Sequence, residues 1–476
     1  MLDAMKNLPF RSNRLAAAMA GSVLFLGAGQ ALATGFQLNE QSASSLGNAF
    51  AAGAAFTDDV SAMWSNPAAL SKFSRMQVAG VANVITPSIK FRNDGSLPAL
   101  NQPLGNDGGD AGGVNFVPNL YFSAPVSPTF AFGLGVNVPF GLVTEYAEGW
   151  LGRYQAIKSD IETINVNPAV SWQVTPEFAV GVGVNWQRVK ATLTSDLNYS
   201  AALLSAAGQA GITPGSPTFN AIAQVTPGLD SKVTIKGDDS AWGWNIGAAW
   251  DVSPQLRLAA SYRSELKYDI KANIDFDNPT PSPPAGSPPQ LVATIAALSA
   301  GVNTRAAYGR GVTSDITLPQ MANVSFLWRV NPQWEVMGDV QYTGWSSIPE
   351  LKFTPTDGST LPAVALNWDD SWKYSLGASY RYNSQWKARM GVAFDQTPVN
   401  GTNTTARLPD SDRWWLAIGG EYRWTPNWKF DAGLVYIFAD SPSFNQNQGS
   451  TAANGLIKGS YDASVTIFAL QATYSF

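Results

Sequence analysis

Few residues of this sequence could carry out acid–base, nucleophilic or metal chemistry. The 476 residues include no His and no Cys, which excludes the Ser-His-Asp triad, the usual zinc sites, disulfides and thiol chemistry. Asp410 and Asp412 are the best candidate pair of carboxylates, because residues two apart on a strand share a face. Arg413 beside them favours a structural ion network instead. We therefore expect no enzyme and no metal or other cofactor.

The composition is typical of strands that have one apolar and one polar face. Aromatic residues make up 12% and charged residues only 14%, against roughly 25% charged in an average soluble domain. The mean hydropathy is −0.06, and no long apolar run follows the N-terminal region, so membrane-spanning helices are not expected. The net charge of −5 gives no basis for nucleic-acid binding.

The first 33 residues have the pattern of a secretory signal peptide. Lys6, Arg11 and Arg14 form a basic region, and an apolar stretch from residue 15 to residue 28 follows. Ala31-Leu32-Ala33 then gives the small residues of a cleavage site, which would make Thr34 the first residue of the mature chain. The alternative is an uncleaved N-terminal anchor, for which this apolar region is short.

The rest of the chain alternates between apolar and polar residues over long segments. Trp372 to Tyr382 has aromatic and aliphatic side chains at every second position and Lys, Ser, Gly or Arg between them. Arg257, Arg263 and Asp269 fall on one face of a similar segment from Leu256 to Ile270. Eleven residues at about 3.3 Å each span a tilted crossing of a bilayer, whereas strands of a soluble sandwich average about half that length. We predict a transmembrane β-barrel.

A recurring four-residue turn allows the strands to be counted. A polar residue, usually Pro, another polar residue and a large apolar residue occur together six times, at 127–130, 175–178, 253–256, 331–334, 383–386 and 425–428. Pro fixes φ at the second position in five of the six, as in a tight turn. Six short periplasmic turns predict seven outer loops and fourteen antiparallel strands. Their expected starts are Gln77, Val114, Phe130, Ile161, Phe178, Val233, Leu256, Asp315, Trp334, Trp372, Trp386, Arg413, Trp428 and Asp462.

Two long outer loops carry apolar patches that resemble helices. The first patch includes Leu203 and Leu204, and the second includes Leu291, Ile295 and Leu298. Exposed apolar patches often bind ligands, so these residues are candidates for capturing a hydrophobic molecule. The alternative is that the two loops pack on each other, and both interpretations can hold together.

The segment 34–75 alternates poorly and precedes the first strand. A barrel of fourteen strands has a lumen wider than its own side chains fill, so we expect this segment to plug the barrel of residues 76–476. In the third strand, Pro139 donates no ladder hydrogen bond and Gly141 tolerates unusual backbone angles. The wall should therefore break there, unless the stretch is an ordinary bulge near a rim. Asn66 is the expected partner of the backbone groups left unpaired.

Several short motifs resemble the FadL family of outer-membrane long-chain fatty-acid transporters. They are Gly35-Phe36-Gln37-Leu38-Asn39-Glu40, Asp58-Asp59, Asn66-Pro67-Ala68, Tyr262-Arg263-Ser264-Glu265 and Pro409-Asp410-x-Asp412-Arg413. Each motif is weak alone, but their joint order over the mature chain is specific. The resemblance implies a barrel plugged by an N-terminal hatch.

The resemblance also implies a route for the ligand. Asn66, Pro67 and Ala68 would lie in the hatch against an inward kink of the third strand, at Pro139-Phe140-Gly141. The ligand would leave sideways through that kink. Phe36 matches an aromatic residue whose displacement is thought to trigger opening, although it could equally serve only to anchor the hatch.

The ligand implied by the resemblance is a long-chain fatty acid. Basic residues of the family's best-characterised fatty-acid transporter stand where this chain has Leu193 and Val364. Arg188, Lys190 and Lys352 are near in sequence and are the candidate partners of a carboxylate. Without such a partner, an uncharged aromatic hydrocarbon or alkane is the alternative ligand, and a general porin for polar solutes is a further alternative.

Other expected partners follow from this class of protein. A barrel of a Gram-negative outer membrane contacts lipid and lipopolysaccharide, and its loops can also serve as a phage receptor. The last strand ends on Phe476, and this terminal aromatic resembles the signal read by the outer-membrane assembly machinery.

Overall fold

The computed structural model describes residues 35–306, 311–358, 361, 363–401, 403–447 and 450–476. No helix among these residues is long and apolar enough to cross a membrane. The strands are β1 Gln77–Asn93, β2 Asn115–Pro125, β3 Phe130–Asn137, β4 Gly141–Glu145, β5 Lys158–Gln173, β6 Phe178–Asn198, β7 Asp230–Asp251, β8 Leu256–Arg263, β9 Leu266–Asp277, β10 Gly311–Leu318, β11 Met321–Arg329, β12 Trp334–Thr343, β13 Glu350–Leu351, β14 Thr354–Pro355, β15 Val364–Ala365, β16 Ser371–Arg381, β17 Trp386–Asp395, β18 Arg413–Arg423, β19 Trp428–Ala439, β20 Ser443–Gln446 and β21 Ile457–Ser475. The helices are α1 Ala43–Leu46, α2 Ala62–Ser65, α3 Tyr199–Gln209, α4 Pro217–Val225, α5 Pro289–Ala306 and α6 Thr451–Asn454.

Fourteen antiparallel wall strands close into a barrel, as the turns predict. The barrel closes because β1 pairs with β2 on one side and with β21 on the other. Three wall strands consist of two segments each: the third (β3 and β4), the seventh (β8 and β9) and the eighth (β10 and β11). The short strands β13, β14, β15 and β20 lie outside the fourteen wall strands.

The two faces of the wall differ as the alternation predicts. On β16, Trp372, Tyr374 and Leu376 are exposed on the outside, whereas Lys373 and Ser375 are buried in the lumen. The outer face is apolar because it meets lipid, and the lumen supplies partners for the polar side chains.

The prediction that Arg257, Arg263 and Asp269 share one face of a single strand is wrong beyond Ser264. Arg257 and Arg263 point into the lumen, but Lys267 and Asp269 are exposed. The cause is the break between β8 and β9, across which the pairing with β7 shifts by one residue. A shift of one residue moves every following side chain to the opposite face.

The described part of the N-terminal segment, from Gly35 onward, fills the lumen. It contains α1, α2 and two 3-10 helices, Gly53–Ala55 and Pro67–Lys72, and most of its side chains are buried. Close contact with the wall requires small residues: a Cβ on Gly391 would overlap the backbone of Asn48. The segment also forms hydrogen bonds to wall strands around the barrel, such as Asn48 Nδ2 to Ala378 O at 2.9 Å.

The two apolar loop patches pack on each other. Leu203 and Leu204 of α3 are buried with Ile295 and Leu298 of α5, and Leu291 is partly buried against the same cluster. Packing of the two loops is therefore what the structure supports. Their proposed role in ligand capture stays a prediction, because these side chains cover one another.

Candidate functional site

The third wall strand is interrupted at Val138, Pro139 and Phe140. Towards β5, three residues between Asn137 and Gly141 face only two residues, which is the geometry of a bulge. Towards β2, pairing stops at Val136, and β4 has no strand partner on that side among the described residues. The stretch is thus both a bulge and a gap in the wall.

The first described residues fill this gap as a short strand, and we call residues 35–41 the arm. Gln37 forms an antiparallel bridge with Phe140. The amide of Leu38 donates to the carbonyl of Pro139, and the amide of Gly141 donates to the carbonyl of Phe36, both at 2.8 Å. The arm therefore supplies the hydrogen bonds that a neighbouring wall strand would otherwise provide.

Side chains satisfy the remaining backbone groups of the gap. Asn119 Oδ1 accepts from the amide of Val138 at 3.1 Å, and Gln41 Nε2 donates to its carbonyl at 2.8 Å. Thr163 Oγ1 accepts from the amide of Phe140 at 3.0 Å and donates to its carbonyl at 2.6 Å. The gap is closed in this structure, since Pro139, Phe140 and Gly141 are all buried.

Asn66 is not the partner of these backbone groups, which corrects the sequence expectation. Its Nδ2 donates to Ala54 O at 2.9 Å and to Ala248 O of β7 at 3.0 Å, and its Oδ1 accepts from the amide of Ala68. It caps the 3-10 helix that begins at Pro67. Asn66, Pro67 and Ala68 therefore lie against β6 and β7, away from the kink. The arm is the partner of these backbone groups instead. The pattern of residues in the sequence does not predict how the arm aligns with the gap.

Phe36 connects the arm to an aromatic cluster. Its ring lies 5.9 Å from that of Phe140, 5.1 Å from that of Trp345 and 6.1 Å from that of Trp368, measured between centroids. Phe36 and Trp368 also line the wall of a cavity above the gap. A molecule that enters the cavity therefore meets the same side chain that holds the arm against the wall.

The cavity encloses about 920 Å³ of space between protein atoms, some of it open to solvent. Its lining is almost entirely apolar and includes Leu193, Ile270, Val364 and Leu366. Leu193 and Val364 thus do occupy the pocket, where the resemblance implies basic residues.

Among the described residues that line this cavity, Arg407 is the one cation. It lies in the loop between β17 and β18, and burial lowers the pKa of its guanidinium to about 10. Its Nη1 makes three long hydrogen bonds, to Lys158 O at 3.3 Å and to Ser159 Oγ and Thr194 O at 3.4 Å. Within the described structure, the guanidinium forms no ion pair, and its other nitrogens make no hydrogen bond. It can therefore receive an anion.

Arg188, Lys190 and Lys352, the candidate partners of a carboxylate, are not among the described residues that line this cavity. Arg188 and Lys190 occupy outward positions of β6, where Arg188 Nη2 pairs with Asp238 Oδ2 at 2.6 Å. Lys352 is exposed, whereas Leu351 and Phe353 on either side of it face the cavity. Arg407 is not predicted from the sequence, because it is far along the chain from Leu193 and Val364, the positions where the resemblance implies basic residues. The one sequence feature that points to it is an isolated Arg beside the apolar Leu408 in a loop.

The later part of the N-terminal segment is fixed by ion pairs, and we call residues 53–72 the base. Asp58 pairs with Lys387 at 2.8 Å and with Arg389 at 3.0 Å, and Asp59 pairs with Lys429 at 2.8 Å. The three cations project inward from β17 and β19 and are largely buried. The base is thus attached to the wall by charge.

Asp410 and Asp412 precede β18, and both carboxylates accept hydrogen bonds from Thr397. Asp410 Oδ2 accepts from the amide of Gly35 at 3.0 Å and from Thr397 Oγ1 at 2.8 Å, while Asp412 Oδ1 accepts from the amide of Thr397. Arg413 Nη1 lies 3.2 Å from Asp410 Oδ1. Asp410 therefore holds the start of the arm. Among the described residues, no group of His, Cys, Asp and Glu could hold a metal ion.

Comparisons with known proteins agree with this architecture. Residues 24–476 match the family described as outer membrane protein transport protein (OMPP1/FadL/TodX). A long-chain fatty acid transport protein of Shigella flexneri is 32% identical over 426 residues, which cover 88% of this chain and 90% of that protein. Outer membrane protein P1 of Haemophilus influenzae is 29% identical over 476 residues, which cover 96% and 98%.

Solved structures share the fold. The crystal structure of a Pseudomonas aeruginosa FadL homologue superimposes with a TM-score of 0.80 at 25% identity, covering 93% of this chain and 100% of that chain. The Pseudomonas putida toluene transporter TodX gives 0.59 at 17% identity, covering 88% and 94%, and supports the fold alone. The chain therefore belongs to the OMPP1/FadL/TodX family of outer-membrane transport proteins.

Proposed function

We propose that this protein carries long-chain fatty acids, or hydrophobic molecules of similar shape, passively across the outer membrane. The observation that supports this most is the apolar cavity with the guanidinium of Arg407 at its wall, which forms no ion pair with any described residue. An alkyl chain gains about 0.8 kcal/mol per buried CH₂, and a carboxylate gains from a charged donor. The relatives named as fatty acid transport proteins support the same ligand class.

The proposed gate is the arm. A ligand in the cavity displaces Phe36, which breaks the bridge between Gln37 and Phe140 and leaves the gap at Pro139 without its partner. The ligand then leaves sideways into the lipid, where an alkyl chain is more stable than in the periplasm. In this proposal residues 34–75 act as the hatch, and residues 1–33 are removed as a signal peptide.

The anchored base is the reason to prefer a lateral route over a porin. Ion pairs hold residues 53–72 across the lumen, and the same residues would have to leave for polar solutes to pass straight through. Uptake of sugars by proteoliposomes should therefore be slow, whereas an open porin would pass them quickly.

An uncharged hydrocarbon is the second candidate ligand. Leu193 and Val364 extend the apolar lining over positions where a charged head group could otherwise bind. The toluene transporter TodX has the same fold. The two ligand classes differ in their need for Arg407.

Substitution of Arg407 separates these ligands. Arg407→Gln should weaken palmitate binding by roughly 10- to 100-fold, the usual loss for a hydrogen bond to a charged group, and should leave hexadecanol binding unchanged. Equilibrium binding to the detergent-purified protein measures both. Arg188→Gln, which alters an outward-facing arginine, is the matched control. Palmitate binding that is insensitive to Arg407→Gln and displaced equally by toluene or hexadecane would establish the hydrocarbon channel instead.

We propose no catalytic role, because the paired carboxylates Asp410 and Asp412 are engaged by the arm and by Thr397. Hydrolysis of a chromogenic fatty ester by the purified protein would contradict this. The further partners we propose are outer-membrane lipid and lipopolysaccharide around the wall, the assembly machinery at the strand that ends near Phe476, and phage at the loops.

A further inference from the structure

A second, smaller cavity is lined by Phe140, whose ring contacts that of Phe36 in the lining of the first cavity. It encloses about 240 Å³ of space between protein atoms, some of it open to solvent, and polar side chains of β5, β6 and β8 complete its lining, among them Asn185, Gln187 and Arg263. Leu266 of β9 lines this cavity, and Ile270 of the same strand lines the upper one. Four residues of a strand span roughly 13 Å, which separates these two lining residues along β9.

Arg263 brings an uncompensated positive charge to this second cavity. Its guanidinium carbon lies 3.7 Å from the ring centroid of Trp64, and its Nη2 donates to Trp64 O at 2.8 Å. Its Nη1 donates to Asn185 Oδ1. The side chain is nine-tenths buried, and in the described part of the chain it forms no ion pair. Buried charges in proteins are ordinarily paired, so this guanidinium is a favourable partner for an anion.

Gln187 adds a second donor. It is fully buried, and its Nε2 has no hydrogen-bond partner among the described residues. Gln187 stands two residues after Asn185 on the same face of β6, roughly 6.6 Å along the strand from the residue that contacts Arg263. A single carboxylate can therefore be reached from the amide of Gln187 and from the guanidinium of Arg263.

We propose that the cavity formed by Arg263, Gln187 and Asn185 is a second carboxylate-binding site, which receives the head group of an alkyl carboxylate after it leaves Arg407. The inference rests on the proposed function and adds a step to it. A carboxylate held at Arg263 leaves its alkyl tail beside Phe140, at the gap in the wall. The tail can then enter the lipid first while the head group is still bound.

Asn185→Asp tests the site without removing Arg263. The new carboxylate is isosteric with the amide, meets the guanidinium directly and occupies the place of the ligand's head group. In the full-length protein reconstituted in vesicles, we expect palmitate uptake to fall about tenfold, with uptake of hexadecanol and the affinity at Arg407 unchanged. Gln187→Leu, which removes the second donor and leaves Arg263 in place, should lower palmitate uptake in the same selective way.

Gln471→Glu is the matched control, because it adds the same charge to the lumen at a residue that contacts Ser42 and Ala43. It should leave palmitate uptake at the wild-type rate. Heat-modifiable migration on gels confirms that each variant barrel is folded. Wild-type palmitate uptake by Asn185→Asp, or an equal loss of palmitate and hexadecanol uptake, overturns the second site. Failure of the proposed function is a different result: palmitate binding to the wild type that Arg407→Gln leaves unchanged.

Discussion

The arm and the base belong to the same short segment but are held to the barrel by different forces. The arm, residues 35–41, is held by neutral hydrogen bonds to Pro139 and Gly141, by Asp410 at its start and by the ring of Phe36. The base, residues 53–72, is held by ion pairs from Asp58 and Asp59 to buried cations of the wall.

This difference indicates which part can move. A neutral hydrogen bond contributes about 0.5–1.5 kcal/mol, and a ligand that takes the place of Phe36 can offset the loss of a few of them. Separating a buried ion pair costs several kcal/mol, because the cation that stays in the wall remains buried without that carboxylate partner. The arm can therefore leave the wall while the base stays, so the barrel opens sideways without opening through its centre.

The largest expected effect comes from breaking the base. Asp58→Ala leaves Lys387 and Arg389 short of one carboxylate and should destabilise the seated hatch by about 3–5 kcal/mol. The barrel would then leak, and liposome swelling should detect faster sugar entry. Asp94→Ala, at an exposed loop acid, should not change permeability. An intact barrier in Asp58→Ala would show that the ion pairs do not fix the base.

A smaller and more local effect is expected from Phe36→Ala. Loss of a buried aromatic side chain typically costs about 3 kcal/mol, so the arm should detach more often while the base stays in place. Hydrogen–deuterium exchange should accelerate on the order of 10²-fold at the amides of Leu38 and Gly141. Amides of the base, such as that of Asn66, serve as the control within the same sample. Equal acceleration in both regions would contradict independent motion of the arm.

The smallest effect is a dependence on pH that arises from Glu40 of the arm. Burial raises the pKa of its carboxyl from 4.5 to about 7, against the opposing influence of Lys373 and Arg413 and together with that of Asp395. Glu40 is therefore favoured in its protonated form while the arm lies against the wall. The free energy that holds the arm there falls as the pH rises from 4.5 through about 7. Uptake of uncharged hexadecanol should be a few-fold faster at pH 8 than at pH 6.

Glu40→Gln is the control for this dependence, because the amide keeps the shape of the protonated acid and does not titrate. Its hexadecanol uptake should be the same at both pH values and slower than that of the wild type at pH 6, because the released Glu40 of the wild type is already ionised at that pH. A wild-type rate that does not change, or that falls with pH, would remove Glu40 from the account.

Six strand starts could be predicted to the residue because local chemistry defines them. In each periplasmic turn the side chain of the first residue accepts a hydrogen bond from the amide of the fourth, as Asn383 Oδ1 does from Trp386 at 2.8 Å. Phe130, Phe178, Leu256, Trp334, Trp386 and Trp428 all begin strands where the turns place them.

Most strands that arrive from the outer loops begin one to five residues earlier than expected, whereas β18 begins at Arg413 as expected and β2 begins one residue late, at Asn115. β21 begins at Ile457 rather than Asp462, and β10 at Gly311 rather than Asp315. Beyond the lipid, outward side chains need not be apolar, so hydropathy no longer marks a strand although the ladder continues.

The site was less predictable because its contacts join distant parts of the chain. Pro139 and Gly141 reveal a weak point in the wall from their own chemistry. The partner of that weak point, Leu38, is about a hundred residues away, and nothing in local sequence fixes its register. The position of Arg407 at the cavity could not be predicted either, because Arg407 lies in a loop and nothing in the local sequence shows which part of the barrel it contacts.

A reversible disulfide between the arm and the wall tests the central claim most directly. Gln37 and Phe140 form a non-hydrogen-bonded antiparallel pair. The Cα atoms of such pairs lie about 4.5 Å apart, which a disulfide can span. The sequence contains no Cys that could compete. The double variant Gln37→Cys/Phe140→Cys should take up palmitate at least about tenfold more slowly when oxidised, and reduction should restore the rate of the single variants. Uptake that is equally fast in the oxidised and reduced protein would contradict an arm that must leave the wall.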